Sequence, residues 1–284
     1  FARKMNEAFP LVFDLLSSKI MADVLESIGF LSLASSFGLP RSAEGVRQTL
    51  VLIWSKEAVV KQAVSNAFQT LYMTPPSLGA AVPDRAKVLF AAKSVIGLLE
   101  DVTLAEALAV EEILRELSKS LPLGPFADAL FDIFMGRVPG ASSLERQSAV
   151  HALSMLTPEH VGPLRAHVSA LLSRGLTGQT DGCYHTARYT IIAVQHMLQA
   201  KKGSTGCDAE RVPAAHPLVQ RIMRYVLTQP LPEETWFATA ETAINAIYAV
   251  AENPDVCANF MIRASAAKLF PQYAAFRLDE PAAG

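Results

Sequence analysis

Apolar residues recur at helical spacing along almost the whole chain, and this periodicity limits the possible folds more than any other feature. From Val60 onward, apolar side chains at i, i+4, i+7 and i+8 share one helix face, and similar helical spacing returns from Ala187 and from Ala243. The sequence shows no sustained alternation with a period of two, which is typical of half-buried strands. It therefore predicts an all-α fold.

Helix starts are marked by capping residues. Residues 103–106 and 142–145 each fit a capping box, in which a hydroxyl accepts from an early backbone N–H and a glutamate reaches back to the cap. Residues 157–158 and 253–254 place a capping side chain before a proline, which is favoured at the first helical position. These signals predict many short helices joined by turns.

An alanine near the start of several helices suggests a repeat. Successive markers are 44, 42, 38 and 53 residues apart, and HEAT and armadillo repeats run at roughly 40–47 residues; the markers are Ala63, Ala107, Ala149, Ala187 and Ala240. We predict an α-solenoid of HEAT/armadillo-type repeats, a single array over residues 1–284, with a loop insertion near 201–215 that lengthens the last step. A compact helical bundle is the alternative.

Composition excludes several classes of protein. Hydrophobic residues make up 51% of the chain and charged residues 18%, which indicates a folded domain. Lys and Arg number 25 against 27 Asp and Glu, so a uniformly basic nucleic-acid coat is excluded. No apolar run is long enough for a membrane span, and three cysteines favour a reducing compartment. The start at Phe1, without a secretory signal, favours a fragment of a longer protein.

Catalytic motifs are missing from the sequence. It contains no phosphate-binding loop GxxxxGK[ST], no GxGxxG, no HExxH and no GxSxG. A repeat array also presents a long concave surface more readily than a deep cavity. We therefore expect a binding protein without catalytic residues and without a cofactor.

Four residues carry atoms that bind zinc: Cys183, His185, His196 and Cys207. Structural zinc sites usually combine two closely spaced ligand pairs, and this spacing matches no such set. We expect no metal, and we expect His196 to be a partly buried or surface histidine.

The aromatic residues are spaced mostly like core residues. For Phe68 and Tyr248 we predict packing between helix layers. Trp54 and Trp236 lie near predicted helix ends, where core packing is the favoured interpretation and partner contact the alternative.

Charge is distributed unevenly along the chain. Residues 101–159 carry a net charge of −5, residues 160–224 carry +5, and residues 225–284 carry −4. A solvated polar face explains this pattern most simply, whereas a strip that binds the phosphates of double-stranded DNA is the functional hypothesis. The candidate DNA-binding residues are Arg165, Arg174, Arg188, Lys201, Lys202, Arg211, Arg221 and Arg224.

Several segments, in this order, resemble the HEAT-repeat, non-SMC subunits of condensin I. The resemblance extends discontinuously over about residues 10–265. Its specificity lies in the ordered occurrence of segments that are individually ordinary. They are residues 54–57 (WSKE), 59–64 (VVKQAV), 71–72 (LY), 110–114 (VEEIL), 144–149 (LERQSA) and the stretch from Trp236 through 249–257 (AVAENPDVC).

The resemblance implies a non-catalytic scaffold for mitotic chromosome condensation. Its implied partners are the SMC and kleisin subunits of condensin, double-stranded DNA and histones or chromatin, without a membrane. It implies residence in the nucleus and cytoplasm, and on chromosomes in mitosis. ATP hydrolysis in such a complex belongs to the SMC heads.

Two other hypotheses remain at this point. One is a transport or adaptor solenoid, karyopherin-like or of the coat-adaptor type, that binds protein cargo. The other is a helical enzyme, which would need a deep pocket with converging titratable groups.

Overall fold

The computed structural model describes residues 2–76, 83–176, 183–199, 211–228 and 234–269. Over these ranges the chain is all-α, as predicted, and its sole β-type pairing is an isolated bridge between Val212 and Ala251. The helices are α1 (Ala2–Leu15), α2 (Met21–Ser36), α3 (Ser42–Leu50), α4 (Ala58–Phe68), α5 (Asp84–Leu99), α6 (Leu104–Ser118), α7 (Gly124–Phe134), α8 (Ser143–Ser154), α9 (Pro158–Val161), α10 (Val168–Gly175), α11 (Cys183–Gln199), α12 (Pro217–Thr228), α13 (Glu234–Val250) and α14 (Pro254–Leu269). No helix in the described ranges is both long and apolar enough to cross a membrane.

Both predicted capping boxes are confirmed. At the start of α6, the Thr103 backbone N–H donates to the Glu106 carboxylate at 2.7 Å, and the Glu106 N–H donates to the Thr103 hydroxyl at 3.3 Å. At the start of α8, the corresponding distances between Ser142 and Glu145 are 2.6 and 3.0 Å. Because a cap satisfies backbone donors that have no partner within the helix, each contributes about 1 kcal/mol.

The prediction for Thr157 is correct for the helix start and wrong for the cap. Pro158 is the first residue of α9, as expected. The Thr157 hydroxyl, however, lies 2.7 Å from His160 Nδ1 and does not cap a backbone N–H. The Thr157 hydroxyl is therefore hydrogen-bonded to the His160 imidazole and not to a backbone N–H.

The first compact unit is Phe1–Leu130. In it, α2 packs against α1, α3 and α4, while α6 packs against α3, α4 and a 3-10 turn, Val51–Trp54. Large apolar side chains from these elements are fully buried, including Leu31, Leu50, Ile53, Phe68 and Ile113. Helix α4 thus buries most of the apolar face that the spacing from Val60 predicted, including Val60, Val64 and Phe68.

The second compact unit is Phe131–Gly284. Within it, α11 packs between α8 and α13, whereas α12 contacts α10, α13 and α14. Consecutive helices therefore alternate between two layers, one with α8, α11 and α13 and the other with α10, α12 and α14. This arrangement is compatible with the predicted helical-repeat solenoid, in which each repeat contacts its neighbours.

The marker alanines lie on helices that pack together within each unit. Ala63 and Ala107 lie on α4 and α6, which pack together in the first unit. Ala149, Ala187 and Ala240 are buried on α8, α11 and α13, the successive helices of one layer. A single array over residues 1–284 stays a prediction. Residues 200–210 of the region around the predicted insertion lie outside the described residues.

Of the four aromatic residues predicted to lie in the core, two are buried and two are exposed. Phe68 is buried, and Trp236 is buried with its indole N–H donating to the Val226 carbonyl at 3.3 Å. The core prediction is wrong for Trp54 and Tyr248, which are 53% and 44% exposed. Trp54 ends the 3-10 turn in which Ile53 is the buried residue, and Tyr248 lies on the side of α13 that neighbouring helices leave uncovered.

Candidate interaction surface

The predicted DNA-binding residues are distributed over several elements. Arg165 lies in a 3-10 segment, Gly162–His167, and Arg174 in the last turn of α10. Arg188 is on α11, Arg211 precedes α12, and α12 carries Arg221 and Arg224. Lys201 and Lys202 lie outside the described residues. The six described arginines all belong to the second compact unit.

Helix α12 presents two of these arginines to solvent. Its buried face is formed by residues such as Val219, Ile222 and Val226, and this face packs toward α10, α13 and α14. Arg221 and Arg224 are exposed and three residues apart, so they are neighbours on the opposite face. No carboxylate in the described ranges forms an ion pair with either of them. This pair places two exposed guanidinium groups side by side on one helix.

Arg174 and Arg146 both lie close to Gly136, although the charge pattern along the sequence indicated only Arg174. Gly136 ends the α7 turn with a φ of +74°, and a Cβ placed there would lie 3.4 Å from Arg174 Nη2 and 3.5 Å from Arg146 Cζ. Both guanidinium groups therefore lie at the C-terminus of α7, where helix carbonyls carry partial negative charge. Arg146 was missed because it lies in a sequence window with net negative charge.

Arg188 belongs to a mixed basic and aromatic cluster on α8 and α11. The rings of His151 and Tyr189 stack with their centroids 3.8 Å apart. Burial, together with the nearby charges of His185 and Arg188, lowers the pKa of His151 to about 4. His151 is therefore neutral at pH 7, and the fixed positive charge of this cluster is that of Arg188.

Two of the predicted arginines, Arg211 and Arg165, make contacts within the fold or are partly buried in it. The Arg211 guanidinium donates to the Ala251 carbonyl at 3.5 Å, next to the backbone bonds that join Val212 to Val250 and Glu252 at 2.9 Å each. Arg165 is half-buried in its 3-10 segment. These contacts favour positioning roles at the ends of α13 and α10.

The structure thus divides the described arginines between the two helix layers. Arg221 and Arg224 lie on α12, whereas Arg188 lies on α11 in the other layer. A single phosphate-binding strip along residues 160–224 stays a prediction, and the α12 pair is the part of it that the geometry favours.

Of the four candidate zinc ligands, the structure describes the side chains of His185 and His196. His196 is half-buried, as predicted, with Nδ1 2.9 Å from the Leu156 carbonyl, and burial lowers its pKa. His185 is exposed on α11, and Cys207 lies outside the described residues. In the part of the chain that the structure describes, no three His, Cys, Asp or Glu side chains cluster as metal ligands do.

Comparison with known proteins supports the sequence resemblance. Condensin complex subunit 1 of Mus musculus is 32% identical over 269 residues, which cover 92% of this chain and 19% of the mouse protein. The chain is homologous to part of condensin complex subunit 1. The human protein of that name is also 32% identical over 269 residues, and the one from Schizosaccharomyces pombe is 28% identical over 262. No family model matches the chain.

The chain spans about a fifth of the length of these condensin relatives, since the matched region covers 19% of the mouse and human proteins and 22% of the fission-yeast protein. The match nevertheless covers almost the whole of this chain and includes proteins from mammals and a yeast. The resemblance expected from the ordered sequence segments is therefore confirmed.

Proposed function

We propose that this chain is a non-enzymatic scaffold segment of a condensin subunit, which holds SMC and kleisin subunits together with chromosomal DNA. The observation that carries the proposal is the match over 92% of the chain to condensin complex subunit 1. The layered helices of the second unit support it, because stacked helix pairs expose continuous side-chain surfaces suited to macromolecular partners.

The proposed DNA contact rests on α12 and α11. Arg221 and Arg224 offer two exposed guanidinium groups, and Arg188 offers a third on the other layer. Contacts of this kind bind phosphates without reading sequence, so the proposed contribution is electrostatic and general. Histone contact is part of the same proposed chromatin role.

The proposed role assigns ATP hydrolysis to the SMC subunits. The chain has no phosphate-binding loop sequence, which agrees with this division of labour. We place the protein in the nucleus and cytoplasm, and on chromosomes during mitosis, because its proposed substrate is the mitotic chromosome.

Partner binding is tested by purifying the full-length protein together with SMC and kleisin subunits. We expect a stable complex that survives size-exclusion chromatography. Failure to co-purify, with each protein folded and soluble, would contradict the scaffold role.

DNA binding is tested on the assembled complex with duplex DNA at several salt concentrations. The Arg221→Gln/Arg224→Gln double variant removes two phosphate contacts, so the slope of log K against log salt should become shallower by about 1.8. Lys93→Gln, an exposed charge on α5, is the matched control and should leave the slope unchanged. An unchanged slope in the double variant would remove α12 from the DNA-binding surface.

A further inference from the structure

Helix α13 has a narrow solvent face that combines aromatic rings with carboxylates. Phe237, Glu241, Asn245 and Tyr248 are all exposed, at spacings of four, four and three residues. At about 100° per residue, these positions fall within roughly 80° of the helix circumference. We call these four residues, with the adjoining Asp255, the α13 face.

The two rings of the α13 face are held in place. Phe237 is 58% exposed, yet its ring packs edge-on against the buried Trp236 with centroids 5.1 Å apart. The Tyr248 hydroxyl donates to Asp255 Oδ1 at 2.5 Å, and this hydrogen bond raises the pKa of Tyr248. A surface that is already ordered loses less conformational entropy when a partner binds.

The charge of the α13 face is negative. Glu241 has no cationic partner in the described part of the chain, and Asp255 accepts from the neutral hydroxyl of Tyr248, so neither carboxylate of the face is paired with a cation there. The nearby Arg211 guanidinium donates to the Ala251 carbonyl and forms no ion pair with the face. Polyanions such as DNA are repelled by such a surface.

Aromatic rings and carboxylates attract the same kind of side chain. A lysine or arginine gains a cation–π contact over Tyr or Phe and a charge-assisted hydrogen bond to Asp or Glu. Phe237 and Tyr248 are eleven residues apart on the helix, or about 16 Å at 1.5 Å per residue. An extended segment of about five residues spans that length.

We propose that the α13 face binds a basic segment of a partner polypeptide, in which lysine or arginine alternates with apolar side chains. The charges meet Glu241 and Asp255, while the apolar side chains cover Phe237 and Tyr248. The inference extends the scaffold proposal to a defined surface and does not depend on DNA binding.

The test uses a short fluorescein-labelled peptide of arginine, leucine and serine, titrated against the full chain by fluorescence anisotropy. A matched peptide carries glutamate in place of arginine, and a second carries serine in place of leucine. We expect Glu241→Lys to weaken binding of the first peptide about tenfold. Phe237→Ser should weaken it several-fold, and both control peptides should bind more weakly.

Two variants in the first unit serve as matched controls. Glu26 is an exposed glutamate on α2, and Leu33 on the same helix is 60% exposed, close to the value for Phe237. Glu26→Lys and Leu33→Ser should leave peptide affinity unchanged. Circular dichroism checks that all four variants are folded.

Three results would overturn the proposal. Equal losses of peptide affinity in Glu241→Lys and Glu26→Lys would show that the peptide is attracted by the overall charge and not by a site. No loss of affinity in either variant would show that the α13 face does not bind the peptide. Protection of Phe237 and Tyr248 by duplex DNA in a hydroxyl-radical footprint would show a nucleic-acid surface instead. Because the peptide titration contains no DNA, it separates this inference from the DNA-binding proposal.

Discussion

Helices α11 and α13 are neighbours in one layer, and they share a buried pattern while differing at their solvent faces. Both have 17 residues and both bury small and branched side chains against each other and the opposite layer. Toward solvent, α11 presents His185 and Arg188, whereas α13 presents Phe237, Glu241 and Tyr248. Packing therefore restricts the residue types on the buried side of each helix, whereas the solvent side can differ between helices and offer different binding surfaces.

The two tryptophans give the largest predicted difference in stability, because one is buried and the other is exposed. Trp236 is buried and anchors α13 to α12 through the Val226 carbonyl, so Trp236→Ala should lower the free energy of unfolding by about 3–5 kcal/mol. Urea denaturation measures this loss. Trp54→Ala is the control, since Trp54 is half exposed, and it should cost less than about 1 kcal/mol. Equal losses would mean that α13 is not anchored as the structure shows.

The contact between α10 and α11 gives the next largest effect. A Cβ at Gly175 would overlap the side chain of Thr190, so Gly175→Ala should destabilise the protein by about 3 kcal/mol through overpacking. Gly97 on α5 has no atom within 4 Å of the same position, so Gly97→Ala should instead stabilise by about 0.5–1 kcal/mol. Urea midpoints of the two variants should move in opposite directions, and movement in the same direction would contradict the close approach of α10 to α11.

The burial of His151 between α8 and α11 predicts that stability falls as the pH is lowered from 7 to 5. His151 has a folded-state pKa of about 4, below its unfolded value of about 6.5, so the unfolded state binds the proton more readily. Its contribution to stability is present above pH 6.5 and is lost as the pH falls toward 4. Between pH 7 and pH 5 that loss is about 2 kcal/mol.

The measurement compares urea unfolding of the natural protein and His151→Gln at pH 7 and pH 5. The natural protein should lose more stability than the variant over this interval. Parallel losses in the two proteins would show that His151 is accessible to water and protonates normally.

Local signals made much of the fold predictable. The capping boxes at Thr103 and Ser142 need only residues three apart, and helical periodicity is contained within each helix. Three of the alanine markers are buried on α8, α11 and α13, which pack side by side in one layer, and close helix packing favours small side chains. Each of these signals is a property of a short stretch of chain.

The surface was less predictable because it depends on which neighbours cover each helix. Trp236 and Phe237 are adjacent aromatic residues, yet one is buried and the other is 58% exposed. Tyr248 has the spacing of a core residue and faces solvent. Likewise, Arg146 and Arg174 both approach Gly136, and His151 stacks on Tyr189, although these residues are far apart in sequence; charge counts along the chain cannot reveal such contacts.

Hydroxyl-radical footprinting of the full-length protein, alone and mixed with the proposed SMC and kleisin partners, tests whether the solvent side of the α8–α11–α13 layer binds other proteins. Phe237 and Tyr248 are reactive, exposed reporters on that side, and buried Phe68 is the unreactive reference. We predict that oxidation of Phe237 and Tyr248 falls several-fold on assembly. Unchanged oxidation of both residues in a fully assembled complex would contradict the account.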